Sequence, residues 1–171
     1  VKGYAMSLEE LREQNIRLVT EKALECFIKN GINNTRVSEI AAESGLTQRS
    51  VFRYFPSKDD IVIAAAFCYW ERTKAYIAHE LRRHTDDAQT GIEQINIILN
   101  SYANMLFVDP EGIRFSLDAE VALYSVGKNA HVINRPPERY EAYKGPLSQA
   151  VRRGLADGTV DPNANIKQLY Y

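Results

Sequence analysis

Apolar residues recur at helical spacing in one segment after another of this 171-residue chain. Ile16, Val19, Ala23 and Phe27 form one apolar face of a first helix. Ahead of them, Ser7-Leu8-Glu9-Glu10 is a capping-box pattern, with Ser7 as N-cap and Glu10 reaching back, and Gly31 closes the helix. Val37, Ile40, Ala41 and Ser44 then fall on one helical face, with Glu39 and Glu43 on others. Thr35 is the expected N-cap of this second helix. Gly45 is its expected stop, because glycine enters the left-handed conformation without a Cβ clash. Thr47 caps a third helix, predicted from Gln48 to about Phe55 and closed by Pro56, which disfavours helical geometry at the residue before it.

The pattern continues in longer elements. Ser57 is an expected cap, with Asp59 and Asp60 in the positive first turn of a helix reaching about Arg83. Its stretch 61–70 is apolar nearly all round and is expected to be buried on several sides. Residues 84–89 read as a polar connection. A helix over 90–107 would place Ile92, Ile95, Leu99, Tyr102 and Leu106 on one face. Another begins at Asp109-Pro110-Glu111, with Pro110 suited to the first helical position, and runs to about Ser125. Residues 127–137 read as a loop and 138–155 as a helix closed by Asp157-Gly158, and Asp161-Pro162 starts one more. The pattern predicts an all-α chain: an N-terminal three-helix domain over 7–56, and a second helical domain over 57–171. In the first domain, the face of the first helix would pack on Ile40, Val51 and Phe55.

Two short helices joined by a tight, glycine-containing turn form a helix-turn-helix unit. Ala41 sits where a larger side chain would force the two helices apart, and Ile40, Leu46 and Val51 are placed to fill the angle between them. The second of the pair carries chemistry suited to DNA. Gln48 and Arg49 stand at its N-terminal end, where a recognition helix meets base edges in the major groove. Glutamine pairs in a bidentate way with adenine, and arginine with guanine. Thr47, Ser50, Tyr54 and Lys58 suit phosphate oxygens, which position a protein without reading sequence. Phe52 is placed for a thymine methyl or for partial burial, and Arg53 for a phosphate or for solvent.

These residues carry a family resemblance. Ala23-Leu24-Glu25-Cys26-Phe27-Ile28-Lys29-Asn30-Gly31, then Thr35, Ile40-Ala41, Gly45-Leu46-Thr47 and the run from Val51 to Ile61 resemble the DNA-binding domain of the tetracycline-repressor (TetR) family. Tyr54-Phe55-Pro56-Ser57-Lys58 directly after the recognition helix is the most telling part. The likeness covers the first third of the chain. The rest is similar only in its helical layout.

The resemblance implies a homodimeric transcriptional regulator, most often a repressor released from double-stranded operator DNA by a small-molecule effector bound in the C-terminal helical domain. Carried over by position, the DNA-contacting residues are Arg36, Val37, Thr47, Gln48, Arg49, Ser50, Phe52, Tyr54 and Lys58. Arg49 stands where a small residue is common in the family, and Phe52 where tyrosine is frequent, which removes a hydroxyl available to phosphate. Family members run longer, and their last two long helices form the dimer interface. Here the first of those barely begins, so the interface is expected to lie beyond the 171 residues. Two recognition helices reading half-sites about 34 Å apart need a dimer.

Composition narrows the picture. There are 21 Lys+Arg against 22 Asp+Glu, a formal net charge of -1, and the pI is near 6.4. Binding through bulk charge is thereby disfavoured. Between residues 36 and 58, however, Arg36, Arg49, Arg53 and Lys58 face only Glu39 and Glu43, a local basic face suited to site-specific binding. Cys26 and Cys68 are far apart and form no metal or redox pattern, as buried thiols of a cytoplasmic protein would. His79, His84 and His131 have no metal-ligand spacing. No cofactor, no membrane span and no signal peptide are expected.

After residue 60 the chain is rich in large apolar side chains. Phe67, Trp70, Tyr102, Met105, Phe115, Tyr124 and Tyr143 are the expected lining of the effector site, with a plain helical core as the alternative for each. Asp118 and Glu120 are expected at the surface. An enzyme is disfavoured, since no phosphate loop, metal cluster or nucleophile–base pattern appears. The remaining alternative is an architectural or protein-interaction module without a ligand response.

Overall fold

The computed structural model describes residues 7–84, 90–127 and 145–164, with side chains of 123–127 excepted. Among these there are seven helices and no strand: α1 Leu8–Asn30, α2 Val37–Glu43, α3 Gln48–Tyr54, α4 Lys58–His84, α5 Gly91–Val108, α6 Pro110–Gly127 and α7 Pro146–Asp157. The all-α expectation holds. The chain divides into two compact units, one within Val1–Trp70 and Glu111–Asn129, the other within Glu71–Pro110 and Ala130–Tyr171.

In the first unit α1 starts on the expected capping box. Ser7 Oγ accepts from the Glu10 amide and the Glu10 carboxylate accepts from the Ser7 amide. Those bonds hold the Glu10 carboxyl below its ordinary value. Val19, Ala23, Leu24 and Phe27 on α1 are buried together with Ile40, Val51 and Phe55. α6 joins this unit through Phe115, which is 1 % exposed. Its ring stacks on Phe27 at 6.0 Å between centroids and meets Tyr69 edge-on at 6.1 Å. Beside it, Arg114 Nη2 donates to the Ile28 carbonyl at 3.0 Å, satisfying one of the carbonyls left open at the end of α1.

The second unit is built around α5 and α7. Ile77, Ile95, Ile98, Ala150 and Val151 are its buried core. The two helices cross at Gly91 and Gly154, where a Cβ on Gly91 would run into the Gly154 backbone and lie 2.7 Å from the Ala150 carbonyl oxygen. Thr90 caps α5 in a capping box with Glu93. Asp157, at the end of α7, accepts from the Gly91 amide at 2.7 Å and so reaches across to the positive N-terminus of α5. Hydrogen bonds from the Thr159 hydroxyl and the Gly91 amide hold the Asp157 carboxyl below its ordinary value.

A depressed carboxyl stabilises the fold above its unfolded value, about 3.9, and that contribution fades as pH falls through the lower folded value. Thermal melts of the Asp157→Asn variant are therefore expected to lose less stability between neutral and acid pH than the parent. Parallel acid profiles of the two would contradict this.

Three expectations need correction. The buried stripe of α5 is Gly91, Ile95, Ile98, Ser101 and Met105. Ile92, Leu99, Tyr102 and Leu106, placed with Ile95 on one face, are between 40 % and 56 % exposed. α5 is apolar on more than one side, and the Gly91–Gly154 crossing selects which side is covered. Secondly, the helix expected over 138–155 is not continuous: α7 starts at Pro146, and residues 138–144 lie outside the described residues. Gly145 is an extended N-cap, because proline disfavours helical geometry in the residue before it. Gly158 closes α7 at φ +77°, as expected. Thirdly, Thr35 is not the cap of α2. The expected connection 84–89 beyond His84, which ends α4, the loop 127–137 beyond its first residue, and any helix after 164 lie outside the described residues.

Candidate nucleic-acid interface

The turn between α2 and α3 is fixed by backbone geometry. Ser44 is the C-cap, Gly45 follows at φ +65°, and two hydrogen bonds close the motif: Gly45 N–H to Ala42 O at 3.0 Å and Leu46 N–H to Ala41 O at 2.9 Å. This is the Schellman arrangement, and it requires the left-handed residue that glycine supplies. Thr35 is buried, its hydroxyl 2.8 Å from the Gly31 carbonyl oxygen and 3.2 Å from that of Cys26. It ties the α1–α2 turn to the end of α1. Arg36 takes the N-cap position, its amide donating to the Glu39 carboxylate at 3.0 Å.

α3 is short and amphipathic. Val51 is fully buried and anchors it, while Gln48, Arg49, Phe52 and Arg53 are exposed. Thr47 is its N-cap, accepting from the Ser50 amide at 3.1 Å, with the two hydroxyl oxygens 3.0 Å apart. Whichever hydroxyl donates within that pair, the other keeps its proton for an outside acceptor. Phe52 is 40 % exposed. The Arg53 guanidinium lies 5.4 Å from the centre of the Tyr54 ring, a cation–π contact. Tyr54 is half-buried, and its hydroxyl accepts from Asn15 Nδ2 of α1 at 3.1 Å. Lys58 opens α4, whose start is held by Ser57 and Asp60 bonding reciprocally.

Among the described residues, Arg36, Arg49, Arg53 and Lys58 form no ion pair, whereas Lys22, Lys74 and Arg83 lie 2.7–3.2 Å from glutamates. The α2–α3 segment therefore presents unneutralised cations beside a helix whose N-terminal side chains point to solvent. Val37, by contrast, is 8 % exposed and belongs to the core. Cys26 is buried and Cys68 half-buried, and neither is in a disulfide. Burial, aided by Glu43 and Glu39, pushes the Cys26 thiol up and keeps it protonated. Among the described residues no group of acidic, histidine or cysteine side chains could hold a metal ion. Nor is any described helix long and apolar enough to cross a membrane.

The residues expected around an effector are placed as follows. Phe67 and Trp70 sit on α4 in the first unit, edge to face at 6.1 Å, with Trp70 39 % exposed. Phe115 is in that unit's core. On α5, in the second unit, Met105 is buried and Tyr102 is partly exposed. The Tyr124 side chain and Tyr143 lie outside the described residues. A cleft of about 510 Å³ in the first unit has a polar lining instead, with Asn30, Asn33, Asn34, Arg114 and Asp118 among it. Glu120 is exposed.

Two short helices locked by a left-handed glycine, the second anchored by one buried valine and presenting polar and cationic side chains, define a helix-turn-helix unit. Residues 19–65 match the family described as bacterial regulatory proteins, tetR family. The helix-turn-helix part of the chain is thus similar to the DNA-binding domains of TetR-family regulators.

It is 30 % identical over 90 residues to an uncharacterized HTH-type transcriptional regulator, YuxN, of Bacillus subtilis. That match covers 53 % of this chain and 30 % of the relative, so it spans less than a third of that protein's length. Two solved structures share the fold. A putative transcriptional regulator from Pseudomonas aeruginosa superimposes with a TM-score of 0.61 at 20 % identity, over 92 % of this chain and 74 % of that one. The transcriptional regulator FadR from Bacillus subtilis, in complex with stearoyl-CoA, gives 0.54 at 16 %, over 89 % and 77 %.

Proposed function

We propose that the protein is a homodimeric, cytoplasmic repressor that binds operator DNA through α3 and is released from it by a small molecule with a large apolar part. The observation that carries the reading is α3 itself: Gln48 and Arg49 exposed at a capped N-terminus, above Val51 at 0 % exposure. Gln48 and Arg49 read base edges, and Phe52 meets a thymine methyl. Arg36, Thr47, Ser50, Tyr54 and Lys58 hold the backbone, and Val37 sets the start of α2 beneath them. The fold shared with a regulator solved in complex with stearoyl-CoA supports an apolar effector. The effector would act by binding more tightly to a state whose two recognition helices are wrongly spaced, which lowers operator affinity by that difference.

Two substitutions separate the roles. Arg49→Ala is expected to cost about 1–3 kcal/mol on the preferred sequence and to relax specificity at one position. Lys58→Ala should weaken binding to all sequences alike. Gel shifts on a selected and a scrambled duplex read both, and equal small effects would contradict the assignment. Stearoyl-CoA is the first effector probe, and it should dissociate the complex. Tight binding of the effector with unchanged DNA affinity would exclude the release mechanism. Single substitutions at Phe67, Trp70, Tyr102 and Met105 then test each as an effector contact.

A further inference from the structure

One polar contact joins α1 to the end of the recognition helix, and the reading of α3 above leaves it without a role. Asn15 Nδ2 donates to the Tyr54 hydroxyl at 3.1 Å, across 39 positions of sequence. Asn15 lies on α1, which carries no base-reading residue, and it is half-buried, as Tyr54 is.

The direction of this bond matters. A phenol has one proton to donate and can also accept. Because the Asn15 amide donates, the Tyr54 oxygen acts as the acceptor and its own proton is left for another partner. A DNA phosphate oxygen is an acceptor only, so a tyrosine serves it only when its proton is not already engaged. Accepting a bond also polarises the phenol and strengthens the bond it donates. The Arg53 guanidinium lies over the Tyr54 ring, 5.4 Å from its centre. That cation has no ion-pair partner among the described residues and favours an anion at the same place.

We propose that Asn15 is a positioning residue for DNA binding: by donating to the Tyr54 hydroxyl it reserves that hydroxyl's proton for a backbone phosphate. The proposal rests on α3 being the DNA reader. It assigns α1 a part in affinity through a side chain that itself need not touch DNA. The contribution is sequence-independent, since phosphates are the same in every duplex.

Reversing the polarity of the bond tests this. Asn15→Asp keeps the size and keeps a hydrogen bond, but the carboxylate accepts, so the tyrosine must donate inward. The probe is a fluorescent duplex of random sequence at low salt, titrated with the full chain. Tyr54→Phe should weaken binding by roughly tenfold, the scale of one hydrogen bond to a charged group. Asn15→Asp should do about the same, while thermal melts show the chain still folded. In the Tyr54→Phe background, Asn15→Asp should then add little.

If the new charge simply repelled DNA, Asn15→Asp would weaken binding equally in both backgrounds, and the proposal would fall. If Asn15 merely braced the helix, Asn15→Ala would lose as much affinity as Asn15→Asp, and it would fall again. Should Asn15→Asp unfold the chain, Asn15→Leu decides instead: the hydroxyl keeps its proton but loses its donor, so affinity should fall by less than in Tyr54→Phe. An equal or larger loss overturns the proposal. A parent chain that binds no duplex at low salt overturns both this and the DNA-reading role of α3. A parent that binds and loses affinity with Lys58→Ala, but not with Tyr54→Phe, overturns this proposal alone.

Discussion

Phe115→Ala is expected to destabilise the first unit by about 3–5 kcal/mol, the cost of deleting a fully buried phenyl ring and leaving a cavity. Phe115 is 1 % exposed, stacked on Phe27 with the two planes 7° apart and capped edge-on by Tyr69. The site has little scope to collapse, because Phe27 lies in the middle of the α1 core and Tyr69 is fixed by its place on α4. A natural domain is stable by only about 5–15 kcal/mol, so the variant should melt far earlier. The consequence for function follows from what Phe27 does. It sits on the helix that packs α2 and α3, so that pair should lose rigidity along with α6. Urea unfolding gives the measurement. Phe115→Leu, which refills most of the volume, should recover much of the loss. A shift below about 1 kcal/mol for Phe115→Ala would place the ring outside the core.

The second large effect is at Gly91, and its sign is informative. Alanine is the better helix former by about 1 kcal/mol, so propensity alone predicts that Gly91→Ala stabilises the chain. The structure predicts the opposite. An added Cβ would meet the Gly154 backbone and the Ala150 carbonyl, and backbone cannot swing aside as a side chain can. α5 and α7 would have to separate, opening the packing of Ile95 and Ile98 against Ala150 and Val151 and lengthening the Gly91–Asp157 hydrogen bond. A loss of about 3 kcal/mol, at the upper end for overpacking, is expected. A variant at least as stable as the parent in urea would show that the helices do not cross there.

The local part of the fold was legible in the sequence. Caps, the glycine stop and the buried face of α2 are decided within a few residues, so Ser7, Gly45, Thr47 and Ser57 could be read directly. Thr35 does not cap α2 because its hydroxyl is taken by carbonyls at Cys26 and Gly31, a preference set by the α1–α2 turn rather than by α2. The buried face of α5 departs from helical spacing alone for a similar reason. Its apolar residues form two stripes, and the choice between them is made by Gly154, 63 positions away by the numbering of Gly91 and Gly154. In α7 the signal was present, since Gly145-Pro146 marks a start that helical spacing alone overrides.

At the candidate site, Gln48, Arg49 and Arg53 are exposed, as residue chemistry and spacing suggested. Val37 is drawn into the core by the same α2 face that holds Ile40. Asn15 had no local signal at all. It is one polar residue on a mostly solvated stretch of α1, and only the fold brings it to Tyr54. The Phe27–Phe115 stack has no local signal for the same reason, as α6 comes from late in the chain to complete a unit that begins at its start.

Selection of duplexes from a random pool by the purified chain decides whether α3 reads DNA sequence. A recurring half-site should be enriched, and where the protein binds as a dimer it should pair with a two-fold-related copy whose centre is about one helical turn, 34 Å, or a multiple of it away. Arg49→Ala should relax the preference at one position in each half-site. Binding with no enriched sequence, or a preference unchanged by Arg49→Ala and Gln48→Ala together, would contradict that role of α3.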